Sequence, residues 1–557
     1  MTRHRAIALQ LALVFGLFSL AVVGTLVATH LKERRRGALA STEIAELKKD
    51  LAADPKDEAL RERLRQRDLE IRKEYYRSRR RFVWAGYLLL LGLAAFVASA
   101  RWFFSLSPDA GETVLPNHRP LPPPRRYGAF AAGVVAAVGL AVLAYLGIFQ
   151  RPVLPPADWE EQAAAAVWPC FRGPGNIGVA GSGDFPTTWS ATTDHNIVWK
   201  VEVPVSGKSS PVVWGDRIFL SGANEEELRV VCFDRASGAV LWNSRVVAPQ
   251  GTDEKAEVFE DTGFAAPTPV TDGKRVYAMF GTGLLAAFDL EGRRAWAKHL
   301  GTPESAYGFA SSLMLHENAL ILQFDQGAEA KEGKSRLLGF DAASGRTLWE
   351  TPRPVPNSWA SPALIQTPER VELIACADPW IIAYDPANGA ELWRVDGLYG
   401  DVAPSPAFGG GVVFVTNDSA QILAIRPGGS GDVTKTRVLW TFDEGMPDIA
   451  SPVTDGRRVL QAAAGGMLTC LDCQTGKLLW ETYLGSAVSS SPVLAGDSVY
   501  LTCEDGVTRV FRLEDKFQIR GHGEVGEPVY ATPAFVDSRI YLRSAKHLFC
   551  IGRREAL

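Results

Sequence analysis

The stretch DRASGAVLW, residues Asp234–Trp242, returns three more times without gaps: DAASGRTLW at Asp341–Trp349, DPANGAELW at Asp385–Trp393 and DCQTGKLLW at Asp472–Trp480. A copy one residue shorter runs through Asp289, Gly292 and Trp296, while Trp199 and Trp440 continue the series behind weaker turns, and Phe517 stands where another closing residue falls. In each copy the Asp is suited to accept hydrogen bonds from turn amides, and the Gly to take the left-handed backbone of a tight turn. The Trp then lies on the strand that follows. Successive closing aromatics are 37 to 54 residues apart, the period of one four-stranded sheet per repeat in a propeller.

A second marker interleaves with the first. Ser210-Pro211, Thr268-Pro269, Ser361-Pro362, Ser405-Pro406, Ser451-Pro452, Ser491-Pro492 and Thr532-Pro533 each open an apolar run, and Ser311-Ser312 fills the remaining slot. Eight openings and eight closings predict an all-β, eight-bladed propeller over residues 168–557, eight rather than seven. The Trp residues 199, 242, 296, 349, 393, 440 and 480 are expected to close the blades, filling the wedge between neighbouring sheets. Burying one contributes several kcal/mol at ~25 cal/mol per Å² over ~150–250 Å². The segment 196–203 (NIVWKVEV) has an outer strand's Trp199 with no inner strand before it, and the chain finishes with three strands and no outer one. The early strand is therefore expected to complete the last blade.

The first 150 residues have a different composition. Apolar runs at about 6–29, 83–104 and 127–149 are each long enough for a transmembrane helix, so an α-helical membrane region with three spans is expected, the first as a span rather than a cleaved signal peptide. Residues 31–81 hold 17 Lys/Arg and 11 Asp/Glu and read as a charged helical hairpin broken at Asp54-Pro55; residues 151–167 read as a linker. The basic runs flanking the hairpin place it in the cytoplasm by the positive-inside rule, whereas Arg3 and Arg5 argue the reverse.

Over the whole chain of 557 residues the formal charge is -4, but residues 168–557 carry 35 Lys/Arg against 47 Asp/Glu. Such a segment has no basic face for phosphate backbones, so nucleic acid is excluded as a partner. Seven cysteines are too few to staple it.

Together the repeats resemble the pyrroloquinoline-quinone-like β-propeller family, and WPCFRGP at Trp168–Pro174 resembles the N-terminal motif of its membrane-anchored bacterial members. The resemblance implies an extracytoplasmic propeller, and either a quinone-dependent dehydrogenase of alcohols or sugars or a non-catalytic scaffold such as the outer-membrane assembly lipoprotein. The enzyme would be expected to show an adjacent cysteine pair, Ca²⁺ ligands and a base Asp. No Cys-Cys and no Cys-x-x-Cys-His occurs in the sequence, so the expectation is a binding or assembly scaffold with a protein or peptide partner, and pyrroloquinoline quinone with Ca²⁺ is the alternative.

Other motifs read as structural. The run after Gly281 and Gly283 is a strand, not the helix that a dinucleotide phosphate needs, and Cys470 and Cys473 lack a second ligand pair for zinc. One constellation remains. Loops from each outer strand to the next inner strand converge at one mouth of the channel and carry Glu260, Asp261, Tyr307, Asn357, Trp359, Asp401 and Asp448. Their two readings are a mouth for a cationic or metal-bridged ligand, and a set of residues that bond one another to close the ring.

Overall fold

The computed structural model describes residues 167–224, 226–249 and 262–553, together with Val14. Eight sheets follow one another along the chain, each built on four antiparallel blade strands, with added parallel strands at the edges of two. The first blade is built from Val212–Trp214, Arg217–Ala223, Leu228–Asp234 and Val240–Val246. The eighth takes Ala534–Val536, Arg539–Arg543 and His547–Ile551 from the end of the chain, and its outer strand, Ile197–Glu202, from the beginning. Cys550 lies opposite Trp199 in that pairing. Apolar side chains from facing sheets form the cores between blades; Phe219, Phe288 and Ala286, for example, are fully buried in one cluster shared by the first two blades.

The expected fold class is corrected in one respect. The all-β propeller stands, but the α-helical membrane region with three transmembrane helices does not: among the described residues no helix is long and apolar enough to cross a membrane. The spans at 6–29, 83–104 and 127–149, the hairpin at 31–81 and the linker lie outside the described residues, Val14 and Val167 excepted. A long apolar run establishes hydropathy, which is not yet a placed helix. The integral, multi-pass placement has no support among the described residues.

The Ser/Thr that opens each inner strand has a specific task. The backbone N–H of Ser210 donates to Thr268 Oγ1 in the next blade (3.0 Å), Thr268 to Ser312 Oγ (3.0 Å), and Ser312 to Ser361 Oγ (2.8 Å). The series continues through Ser405, Ser451, Ser491 and Thr532, and Thr532 donates back to Ser210 Oγ (3.0 Å). Eight identical steps close a circle around the axis. A buried amide is costly to leave unpaired, and here the neighbouring blade supplies every acceptor.

At the rim, the Asp-Gly-Trp pattern links consecutive blades. Asp341 Oδ1 accepts from the Ser344 N–H (2.8 Å) and hydroxyl (2.6 Å), tying the turn. The turn's Gly carries the previous blade's indole: a Cβ on Gly345 would lie 2.7 Å from Trp296, one on Gly389 2.5 Å from Trp349, and one on Gly476 2.6 Å from Trp440. These glycines thus meet two demands, positive φ and a bare face. The indole N–H of Trp242 donates to Leu290 O (2.8 Å), that of Trp296 to Ala342 O (3.1 Å), and that of Trp480 to Glu514 O (2.7 Å). Trp393 departs from this. The fifth blade replaces the tight turn with a longer connection whose Gly431–Asp432 strand pairs beside Trp393, and the Trp393 nitrogen donates to Glu372 in its own blade (2.8 Å).

The WPCFRGP motif crosses one end of the ring. Val167–Trp168 pairs with the inner strand of the first blade and Val179–Ala180 with that of the seventh. Between them, Arg172 is fully buried and donates to Asn176 O (3.1 Å) and Ile177 O (3.2 Å), and across the channel to Pro406 O (3.0 Å) and Pro452 O. Asn176 Nδ2 reaches Pro362 O (2.8 Å). One segment thereby fastens to the inner strands of the first, fourth, fifth, sixth and seventh blades.

Candidate functional site

The four blade strands alternate direction within each sheet, and the Ser/Thr circle keeps all inner strands parallel. Connections from outer to next inner strand, and between second and third strands, therefore open at one end, here called the loop end. The Asp-Gly turns and the WPCFRGP segment occupy the other, the turn end.

At the loop end the structure brings four of the sequence-derived residues together. Tyr307 and Trp359 have ring centroids 5.1 Å apart at 52°. Asn357 Oδ1 accepts from the Ala306 N–H (2.9 Å), the Trp359 indole donates to Gly308 O (2.8 Å), and the Trp359 N–H donates to Val402 O (2.9 Å). Asp401 stands beside Tyr307; partial burial, then the charge of Asp401 and its hydrogen bond, then Asp418, push the phenol above its ordinary value. Asp448 lies on the following loop, its carboxylate accepting from the Ala464 N–H (3.3 Å). Glu260 and Asp261 lie outside the described residues.

Several residues at this end escape the sequence reading. Asp325 and Arg353, both fully buried, form an ion pair with Nε–Oδ1 at 2.7 Å and Nη2–Oδ2 at 3.2 Å. The same carboxylate accepts from Ser358 Oγ (2.7 Å) and Gln323 Nε2 (2.8 Å), and Arg353 Nη1 donates to the Tyr384 hydroxyl (2.9 Å). Facing charge and hydrogen bonds outweigh burial and hold the guanidinium above its usual range. Four donors tie the Asp325 carboxylate into this network, three on Oδ2 and one on Oδ1. No spacing rule joins Asp325 to Arg353; only the path of the third blade does. Tyr399 (69 % exposed), Ile449 (52 % exposed) and the buried Asn417 were also unmarked.

The described connections at the loop end carry Glu226, Glu227, Glu304, Glu329, Glu332, Asp378, Asp401, Asp418, Asp443, Glu444, Asp448, Glu504, Asp505 and Glu527, all at least partly exposed, against Lys208, Lys331, Lys334 and Lys546. This is a strongly acidic face. At the turn end a cavity of about 300 Å³ lies between the WPCFRGP segment and the inner strands of the second to fifth blades, lined by residues including Cys170, Ile177, Leu315, Leu364 and Phe408.

These residues do not fit a quinone held by calcium. Among the described residues no three His, Cys, Asp or Glu side chains converge as metal ligands, and the seven cysteines are buried, free thiols with no adjacent pair. Cys470 and Cys473 are among them, packed in the core, with burial pushing both thiols up.

A family model described as outer membrane protein assembly factor BamB matches residues 189–360, 377–430 and 430–516. Curated relatives of that description include one from Burkholderia pseudomallei (strain K96243), 24 % identical over 360 residues, which cover 58 % of this chain and 90 % of the relative. Another, from Yersinia pestis, is 25 % identical over 39 % of this chain and 56 % of its own length. Among solved structures, quinohemoprotein alcohol dehydrogenase from Comamonas testosteroni matches with a TM-score of 0.50 and 13 % identity, over 73 % of this chain and 84 % of that one, a likeness of fold alone.

Proposed function

The chain belongs to the outer membrane protein assembly factor BamB family, and on that premise we propose that its propeller is a non-catalytic scaffold that binds protein partners during assembly, outside the cytoplasm. The supporting observation is how polar groups are used at the loop end. The buried ones, Asp325, Arg353, Gln323 and Ser358, bond one another and fix the loops, while the exposed ones face outward on a rigid ring. That arrangement suits recognition better than proton transfer.

The test places a photo-crosslinking amino acid at Tyr530, Ile449 or Tyr483 on the loop side and at Asp216 or Asp497 on the turn end. Discrete adducts with a protein identified by mass spectrometry, from the loop end only, are the expected result. In parallel, purified protein with pyrroloquinoline quinone and Ca²⁺ is given alcohols and sugars. Dye reduction there would overturn the non-catalytic reading.

A further inference from the structure

The partner's chemistry can be taken further, resting on the scaffold reading. Tyr399 and Asp401 share one loop between the fourth and fifth blades. That loop is held from beneath: buried Asn417 donates through Nδ2 to the carbonyls of Tyr399 (2.6 Å) and Asp401 (3.1 Å), and the Gly400 N–H donates to Asp378 Oδ2 (2.9 Å). With its backbone fixed, the loop sets the spacing of an exposed ring and an exposed carboxylate. Asn417 Oδ1, also buried, has no hydrogen-bond partner. Asp418 follows Asn417, and its charge, like that of Asp401, is felt at Tyr307. On the next loop round the ring Ile449 is exposed beside Asp448.

The surrounding acids attract cations, and an aromatic face beside carboxylates selects a planar one: guanidinium stacks on the ring while its N–H fork meets the oxygens. This end of the molecule already holds a cation over a ring, Lys208 Nζ lying 5.0 Å from the ring centroid of Tyr530. Among the described residues no cation of this chain lies over Tyr399. A divalent ion is the poorer fit, since no three ligands converge.

We propose that Tyr399, Asp401 and Asp418 form a docking point for an arginine of an extended, basic segment of a partner protein. The chemistry is tested by fluorescence anisotropy of the purified full chain with a labelled heptapeptide, Gly-Arg-Ala-Leu-Arg-Ala-Gly, and its counterpart with both arginines replaced by glutamate. The arginine peptide binds and weakens as salt is raised, and the glutamate peptide does not bind. Tyr399→Ala weakens binding about tenfold and Asp401→Asn about threefold; Tyr399→Phe, which keeps the ring, and Lys208→Ala leave it unchanged. Equal binding of the two peptides, or a Tyr399→Ala variant that binds like wild type, overturns the proposal. Loop-end crosslinks without arginine-peptide binding would sink this chemistry and leave the scaffold; arginine-peptide binding without crosslinks would do the opposite.

Discussion

The two ends of the ring solve different problems with the same repeat. At the turn end, short connections repeat with little change except in the fifth blade, and the WPCFRGP segment lies across the channel with Arg172 bonded to carbonyls of two distant blades. Acids there alternate with bases such as Arg235, Arg293, Arg346 and Lys477. At the loop end, the connections differ in length and sequence, and exposed acids far outnumber lysines. Variation is concentrated at the loop end, the fifth blade's long turn being the exception at the other, because the Ser/Thr circle and the indole-on-glycine contacts fix the blades independently of those loops. A partner surface is therefore free to diverge without cost to the ring.

If that division is real, the largest stability effects belong to the fastening elements. Arg172→Ala removes a buried guanidinium and leaves the carbonyls of Pro406 and Pro452 without their donor; a loss of about 3–5 kcal/mol is expected in urea unfolding. Arg172→Lys should recover only part of it, since a point charge cannot span both blades. A neutral result at Arg172 would mean that the segment merely rests on the ring.

Gly389→Ala comes next, at about 2–3 kcal/mol, because a Cβ there meets Trp349 at 2.5 Å and the residue sits at φ +73°. Ser405→Ala should cost about 1–2 kcal/mol by leaving the buried Ser361 N–H unpaired, whereas Ser405→Thr should be nearly silent. Thr268 and Thr532 already occupy equivalent places in the circle. Thermal unfolding of the three variants side by side checks both.

Much of this was legible in the residues. The Asp-Gly-Trp repeats and the Ser/Thr-Pro openings give the propeller and its family, because turn chemistry and blade period are local properties. The reason for each Gly was only half legible: positive φ can be inferred from a turn, but the indole above it comes from the preceding blade. The same limit hid the hydroxyl circle, whose partners lie at least 40 residues apart in sequence. At the loop end, Tyr307, Asn357, Trp359 and Asp401 could be proposed because loop position alone places them at the mouth. Tyr399 and Asn417 were missed because nothing in the sequence tells an exposed ring from a packed one, or an amide that holds a loop from one in solvent. Apolar runs in the first 150 residues carried a membrane reading that the described residues do not.

The smallest expected effect is a dependence on pH at the loop end. Glu527, at the loop end and 15 % exposed, lies 2.9 Å from Lys200 Nζ on the closing strand and 2.6 Å from His547 Nδ1. Burial would raise its carboxyl, but hydrogen bonds from Ser544, His547 and Lys200 outweigh that and hold it down at about 2. A carboxyl lowered by folding stabilises the native state fully above its unfolded value near 4.5 and loses that contribution as pH falls toward 2. Wild type should therefore lose about 1 kcal/mol more than Glu527→Gln between pH 6 and pH 3 in urea titrations, after allowance for solvent screening. Equal acid sensitivity in wild type and Glu527→Gln would mean that the strand taken from the start of the domain is held by its sheet pairing alone.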